Sequence, residues 1–369
     1  MGYEYVKSVL LHLTRLCNLS CQHCYVASYS SDRNSLSVND LRRVNEIVSI
    51  LDKPLDITGG DPFVYENLES YLNCCFEMNL NVSSIFTNGV LLLQKREFLK
   101  RIYARNKDVL FFVSLDGYQG SHDAFRGKGS FEKAIEGATL LKNIGFQVHI
   151  NTILHNRANA QDVENLYCEI KNRGFDRWRV DTPFNAGNWV EAKDKFNLDF
   201  EEAFERFNLI LRLWFRDAMP FELELDHVLK FIGGQFYYID QYSVDSPVCP
   251  CRTLPIWPDG NITWCQDLYG EQFVIGNIYD DVNTLYDKYK PYKQRTIGEM
   301  IQSVPQCREC GYLNYCGVGC RANSILLNGK YFDKDSELCF LFNSGLYKTI
   351  AQTIIDSQNV NCANKEQIQ

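Results

Sequence analysis

The stretch Val9-Leu-Leu-His-Leu-Thr14, followed two residues later by Cys17-Asn-Leu-Ser-Cys21-Gln-His-Cys24, governs how the chain is read. The first six residues form a short apolar run of strand character, and the three cysteines occupy the loop that leaves it. Three thiolates on one loop can hold three corners of a four-iron cluster. Such a cluster normally takes four Cys ligands, so one iron would stay open for a small molecule. On ligand types alone the alternative is a zinc site completed by His23 or His12.

Working outward, five more strand candidates follow: Leu55 to Thr58, Val82 to Thr87, Leu110 to Leu115, Gln147 to Leu154 and Trp178 to Asp181. Amphipathic stretches separate most of them, giving six strand–helix units and a parallel sheet. Ser37 is a good N-cap for the helix from Val38 to Leu51, with Asp40 at its third position. Ser130 is read as the cap of a later helix that ends at Gly145. A closed barrel takes about eight units, so the expected fold is α/β, a partial (β/α)6 TIM-like barrel with its chemistry on loops at the carboxyl ends of strands. His12 and His149 lie in strands and read as core or lumen residues.

A helical pattern from Asn197 to about Asp217 leads into a stretch where strand and helix signals weaken, read as a joint. Beyond Val244 the chain turns rich in Cys, Gly and Tyr, a composition that folds around metal more readily than around a large apolar core. Asn359 to Gln369 are expected to be a frayed tail.

With 369 residues, 45% of them hydrophobic, the chain suffices for roughly two domains of about 150 residues each. A net charge of -8 with scattered basic residues argues against a nucleic-acid groove. The apolar stretch Val9 to Leu13 is too short for a signal peptide or a membrane span. The cytoplasm is therefore the expected location. Fifteen cysteines, an odd number without an export signal, speak for metal or redox chemistry over disulfides. Cys74, Cys75, Cys168 and Cys362 fit no spacing and read as buried or incidental thiols.

Four motifs in order then carry a resemblance. Cys17, Cys21 and Cys24 follow the first strand, and strand two ends in Thr58-Gly59-Gly60-Asp61-Pro62. Strand three ends in Thr87-Asn88-Gly89, and strand four in Ser114-Leu115-Asp116-Gly117, with His122 and Arg126 beyond it. The chain resembles the radical S-adenosylmethionine (SAM) family, whose cysteine loop carries a cluster that binds SAM. The resemblance implies that Gly59, Gly60, Asp61 and Pro62 face the SAM amino group, with Asp where the family has Glu, and that Thr87 and Asn88 belong to the same cofactor site. Ser114 and Asp116 would bond ribose hydroxyls, Arg126 would fork onto the SAM carboxylate, and the glycines would let the backbone approach the ligand.

The later cysteines, Cys249, Cys251, Cys265, Cys307, Cys310, Cys316, Cys320 and Cys339, are similar in spacing to the SPASM extension of a subset of these enzymes. That likeness implies two auxiliary four-iron clusters, one on Cys249, Cys251, Cys265 and Cys320 and one on Cys307, Cys310, Cys316 and Cys339. Cys249 and Cys251 are only one residue apart. Either both ligate, or one stays off and leaves an iron open to substrate. A zinc ribbon at Cys307 to Cys320 is the alternative. The implied organisation is a radical SAM barrel over 1–217, a bridge over 218–244, a Cys-rich α+β iron–sulfur domain over 245–345, and a C-terminal helix and tail over 346–369.

The implied activity is reductive cleavage of SAM to a 5′-deoxyadenosyl radical, hydrogen abstraction, and oxidation or crosslinking of a substrate. Three substrate readings compete: a ribosomally made peptide, a sulfatase, and a small aminocyclitol or sugar. For a peptide, a core beginning by residue 9 leaves no room for a leader-binding domain, so a separate recognition protein is expected. Sulfatase-maturing relatives carry an Asp directly after the middle cysteine of the first auxiliary set, where this chain has Cys265-Gln266-Asp267. Asp267 is the favoured acid–base group, ahead of Asp181, Asp226, His227 and Tyr269. An electron donor such as flavodoxin or ferredoxin is implied, with no nucleic-acid or membrane partner. A non-enzymatic iron–sulfur carrier is the reading from another class, and it would have no need of the Gly59 to Arg126 set.

Overall fold

The fold, seen in a computed structural model, is described for residues 3–28, 33–226, 228–238 and 241–366. Six strands alternate with helices as the sequence pattern predicts: β1 (Ser8–His12), β2 (Leu55–Thr58), β3 (Val82–Thr87), β4 (Leu110–Ser114), β5 (Gln147–Ile153) and β6 (Arg177–Asp181). Each is parallel to the next. Val9, Leu11, Leu55, Ile57, Phe111, Val113, Val148, Ile150, Trp178 and Val180 are buried beneath the helical layer. A parallel sheet must be covered by its crossover helices, and these residues form that interface.

The stretch read as a joint is sheet. After helix Phe200–Arg216, β7 (Glu222–Leu225) adds in parallel to β6, so the parallel run outlasts the six predicted units. The hairpin β8 (Leu229–Ile232) and β9 (Gln235–Tyr238) then closes that edge through Gly233-Gly234, both at positive φ. These strands are short and, unlike β2, are not followed by amphipathic helices that set them off as strand–helix units, which is why the signal weakened.

The cysteine-rich segment contributes β10 (Thr253–Ile256), β11 (Asn261–Thr263) and β12 (Val274–Asn277). Strand β10 lies parallel against β1, so one open sheet runs β12-β11-β10-β1-β2-β3-β4-β5-β6-β7-β8-β9. The C-terminal helix Leu346–Glu366 packs back on helix Phe200–Arg216, where the Asn208 amide donates to Thr349 and its oxygen accepts from Thr353. That helix continues through Glu366, where a frayed tail from Asn359 was expected; residues 367–369 lie outside the described residues. Among the described residues no helix is long and apolar enough to cross a membrane.

Ser37 caps helix Val38–Leu51 as expected, in a reciprocal box with Asp40. Ser130 does not cap the helix that begins with it: Gly129 is the N-cap, and the Asp123 carboxylate accepts from Gly129 N at 2.6 Å and Phe131 N at 2.9 Å. A carboxylate from the preceding helix has taken over the free amides. Replacing Asp123 with Ala should therefore cost about 1 kcal/mol of stability, measurable by urea denaturation, whereas Ser130→Ala should cost less; equal losses would restore Ser130 as the cap.

Candidate active site

Strand β2 ends by docking directly onto the cysteine loop. Gly60 N donates to Thr14 O at 2.6 Å and Asp61 N to Leu16 O at 3.0 Å. A Cβ on Gly60 would sit 2.1 Å from Leu16 O, and one on Gly59, at φ +153°, would sit 2.7 Å from Thr14 O. The two glycines thus allow one loop to touch another.

Asp61 is likewise turned inward. Its carboxylate accepts from Phe63 N at 2.9 Å, Thr87 Oγ1 at 2.7 Å and Asn88 N at 2.8 Å. It braces the ends of β2 and β3, using most of its acceptor capacity. Pro62 opens the short buried turn Pro62–Val64 beside it. The Asn88 amide donates to Asn18 Oδ1 at 2.8 Å and reaches Cys17 Sγ at 3.6 Å.

Asp116 and Arg126, assigned from sequence to ribose and carboxylate, are paired with each other. Arg126 Nε donates to Asp116 Oδ2, and Ile153 N donates to Oδ1 at 2.9 Å. Burial opposes ionisation of Asp116, but the Arg126 guanidinium outweighs it and holds the carboxyl well below the usual range. Arg126 also contacts His23 Nε2 at 3.1 Å and approaches Cys21 Sγ at 3.9 Å. Burial lowers the His23 pKa to about 3, so the ring is neutral. With Nε2 accepting from Arg126, the proton lies on Nδ1, a buried atom with no partner.

Phe125 is stacked between His23 and His155, at centroid distances of 4.3 and 4.0 Å. His155 Nε2 donates to Asp116 O at 2.6 Å, and His122 Nδ1 accepts from Asp116 N at 3.1 Å. Ser114 ends β4 two residues before Asp116. His12 is buried against Trp257, with ring centroids 4.0 Å apart, and His149 meets Phe112 edge-on at 4.9 Å.

The structure brings the predicted thiols together in sets. Cys17, Cys21 and Cys24 lie within electrostatic reach of one another. Leu19 N donates to Cys17 Sγ at 3.4 Å and Ser28 N to Cys24 Sγ at 3.3 Å. Cys249, Cys251 and Cys265 form a second set, and Cys320 shares their cavity wall. Cys307, Cys310, Cys316 and Cys339 form a third. Burial pushes Cys17 to about 12 and Cys21, Cys307 each to about 11. These thiols are neutral at pH 7, so metal loading must displace their protons. Among the described residues no group of three His, Cys, Asp or Glu side chains is placed to hold a single metal ion. All-thiol sets flanked by N–H donors suit iron–sulfur clusters. Of the thiols without a pattern, Cys75 is buried, Cys74 half-buried and Cys168 exposed, while the side chain of Cys362 lies outside the described residues.

Between β6, β7 and the second thiol set lies a cavity of about 480 Å³, walled by Arg179, Glu224, Asp226, Cys265, Asp267 and Cys320 among others. Asp267 lies 3.9 Å from Cys265 Sγ. Arg179 forms a 2.8 Å ion pair with Asp181, whose carboxyl burial pushes up to about 7 despite that partner. Tyr25 lies within electrostatic reach of Cys24 on one side and of Cys265 and Asp267 on the other. Arg179, Tyr25 and Lys293 escaped the sequence reading. Arg179 was findable from strand alternation, because it shares a face with Asp181. His227 lies outside the described residues.

Residues 11–168 match the Radical SAM superfamily. The antilisterial bacteriocin subtilosin biosynthesis protein AlbA of Bacillus subtilis strain 168 is 24% identical over 348 residues, covering 88% of this chain and 68% of its own. An AdoMet-dependent heme synthase of Methanosarcina barkeri is 29% identical, covering 89% of this chain and 95% of its own. Among solved structures, native anSMEcpe with bound AdoMet and Cp18Cys peptide superposes with a TM-score of 0.71 at 19% identity, over 96% of this chain and 99% of the other. Matched in sequence and in fold, the segment from residue 11 to residue 168, cysteine loop included, is a radical SAM domain.

Proposed function

We propose that the chain is a radical SAM enzyme of the SPASM type that oxidises or crosslinks a ribosomally made peptide. One observation carries this reading: Tyr25 lies within electrostatic reach both of Cys24 on the first loop and of Cys265 and Asp267 in the second thiol set. In this reading Cys17, Cys21 and Cys24 hold the SAM-binding cluster. Cys249, Cys251, Cys265 and Cys320 hold one auxiliary cluster, and Cys307, Cys310, Cys316 and Cys339 the other. When bound, these groups supply hydrogen-atom abstraction through the 5′-deoxyadenosyl radical and an outlet for the electron that the substrate then gives up.

The chain's own residues do the rest. The N–H groups of Leu19 and Ser28 donate to the sulfurs of Cys17 and Cys24 and fix their orientation on the loop. The Asp116–Arg126 pair and the neutral His23 wall the loop. Arg179, Glu224 and Asp226 give the cavity charged contacts suited to a peptide backbone and its polar side chains. Asp267 accepts the proton released when the substrate is oxidised. Asp267→Ala should leave SAM cleavage intact while slowing product formation by roughly 10²-fold; unchanged turnover would remove Asp267 from the mechanism.

Support for a peptide comes from the bacteriocin biosynthesis relative. The heme synthase relative favours a second reading, a tetrapyrrole substrate. Anaerobic incubation with SAM and reductant decides between them. Deuterated peptides encoded beside the gene and deuterated iron coproporphyrin III are offered in turn, and 5′-deoxyadenosine is weighed by mass spectrometry. Deuterium transfer from a peptide is expected; transfer from the porphyrin alone would overturn the peptide reading, and no SAM cleavage with either would overturn the enzyme reading. A separate leader-binding protein and a flavodoxin or ferredoxin donor are the proposed partners.

A further inference from the structure

Helix Val282–Gln294 buries Val282, Leu285, Tyr289 and Lys293 along one face. Three of these belong in a core; the fourth is an amine with 0% exposure. Lys293 Nζ donates to Cys249 Sγ at 3.2 Å, and it lies 5.2 Å from the Tyr289 ring centre and 5.9 Å from that of Trp264. Cys251 and Cys265 lie within its electrostatic reach. Asp267 also feels this charge, but among the described residues no carboxylate forms an ion pair with Lys293.

A buried ammonium is tolerated only where negative charge faces it. Two aromatic faces give partial compensation. Neutral thiols give none, whereas thiolates bound to iron carry net negative charge. The charge of a cluster and the hydrogen bonds to its sulfurs also set its reduction potential.

We propose that Lys293 is the internal counter-ion of a thiolate-ligated iron–sulfur cluster at Cys249, Cys251 and Cys265, and that it raises that cluster's reduction potential. The inference rests on the reading above that these cysteines bind a cluster. A fixed positive charge stabilises the reduced, more negative state, so removing it lowers the potential. Lys293 acts through the cluster sulfurs and is a positioning residue.

The test compares the full reconstituted chain with Lys293→Met, Lys293→Gln and Lys293→Arg. Iron and sulfide per chain are measured, and reduction potentials follow from titrations monitored by electron paramagnetic resonance. The same set is repeated with Cys17, Cys21 and Cys24 changed to Ala, to isolate the auxiliary signals. In the Met and Gln variants one auxiliary potential should fall by an amount equal to about a tenfold shift in the reduction equilibrium, about 59 mV for one electron. The Arg variant should stay near the parent, and the other auxiliary signal should not move. Iron loss in Met and Gln that Arg prevents also supports the counter-ion. Unchanged potentials at full iron content, or iron loss in all three variants, overturn it. If the parent itself carries no iron beyond the first cluster, the auxiliary-cluster reading fails, before any Lys293 variant is compared.

Discussion

Replacing Cys17, Cys21 or Cys24 with Ala should abolish reductive SAM cleavage, returning it to the uncatalysed rate, a loss of about 10⁶-fold or more. The three thiols arise from one short loop, lie within electrostatic reach of one another, and draw N–H donors from Leu19 and Ser28. His23, the adjacent donor in sequence, is turned to Arg126 and stacked on Phe125. Each variant should lose about four irons per chain, one four-iron cluster, without loss of secondary structure. Cys168→Ala, at an exposed helical position, is the control and should behave as the parent. Full 5′-deoxyadenosine formation by any of the three loop variants would refute the assignment.

The second large effect is expected at Gly60. An alanine there meets Leu16 O at 2.1 Å, Leu16 C at 2.5 Å and Arg15 O at 2.7 Å, all backbone atoms. No rotamer relieves the contact, so either the end of β2 or the cysteine loop must shift. Overpacking of this kind costs about 1–3 kcal/mol, and here the shift falls on the Cys17–Cys24 loop. Gly60→Ala should therefore lose stability to urea and retain less iron at the first site. Gly120→Ala is the comparison, because a Cβ at Gly120 has nothing within 4 Å. It should be neutral or gain roughly 0.5–1 kcal/mol from helix propensity. Full iron loading and parental stability in Gly60→Ala would show that the loop contact is soft.

The barrel was legible because each of its strands is an apolar run followed by an amphipathic helix, and the cysteine loop because its spacing is compact. The contacts that Asp61, Asp116 and Arg126 make within the chain were not. Motif spacing places a residue at a strand end but does not say whether its side chain turns to a ligand or to the chain. Asp61 satisfies Thr87 and Asn88, and Asp116 satisfies Arg126, through contacts 26 and 10 residues apart in sequence. Lys293 was missed for a different reason. The helix over 282–294 was not singled out in the sequence, although 285, 289 and 293 keep the spacing of a buried stripe. The β7–β9 strands hid because they are short and, unlike β2, are not followed by amphipathic helices that set them off as strand–helix units.

The pairing of β10 with β1 joins residues 245 positions apart, as between Ser8 and Thr253. Strand β1, which carries the cysteine loop, therefore has an open edge until most of the chain has been synthesised. A bare parallel edge invites association with other chains, and pairings this distant form slowly. The nascent sheet thus depends on its own last third to cover that edge, so truncations before residue 256 should yield insoluble protein however complete their radical SAM motifs are.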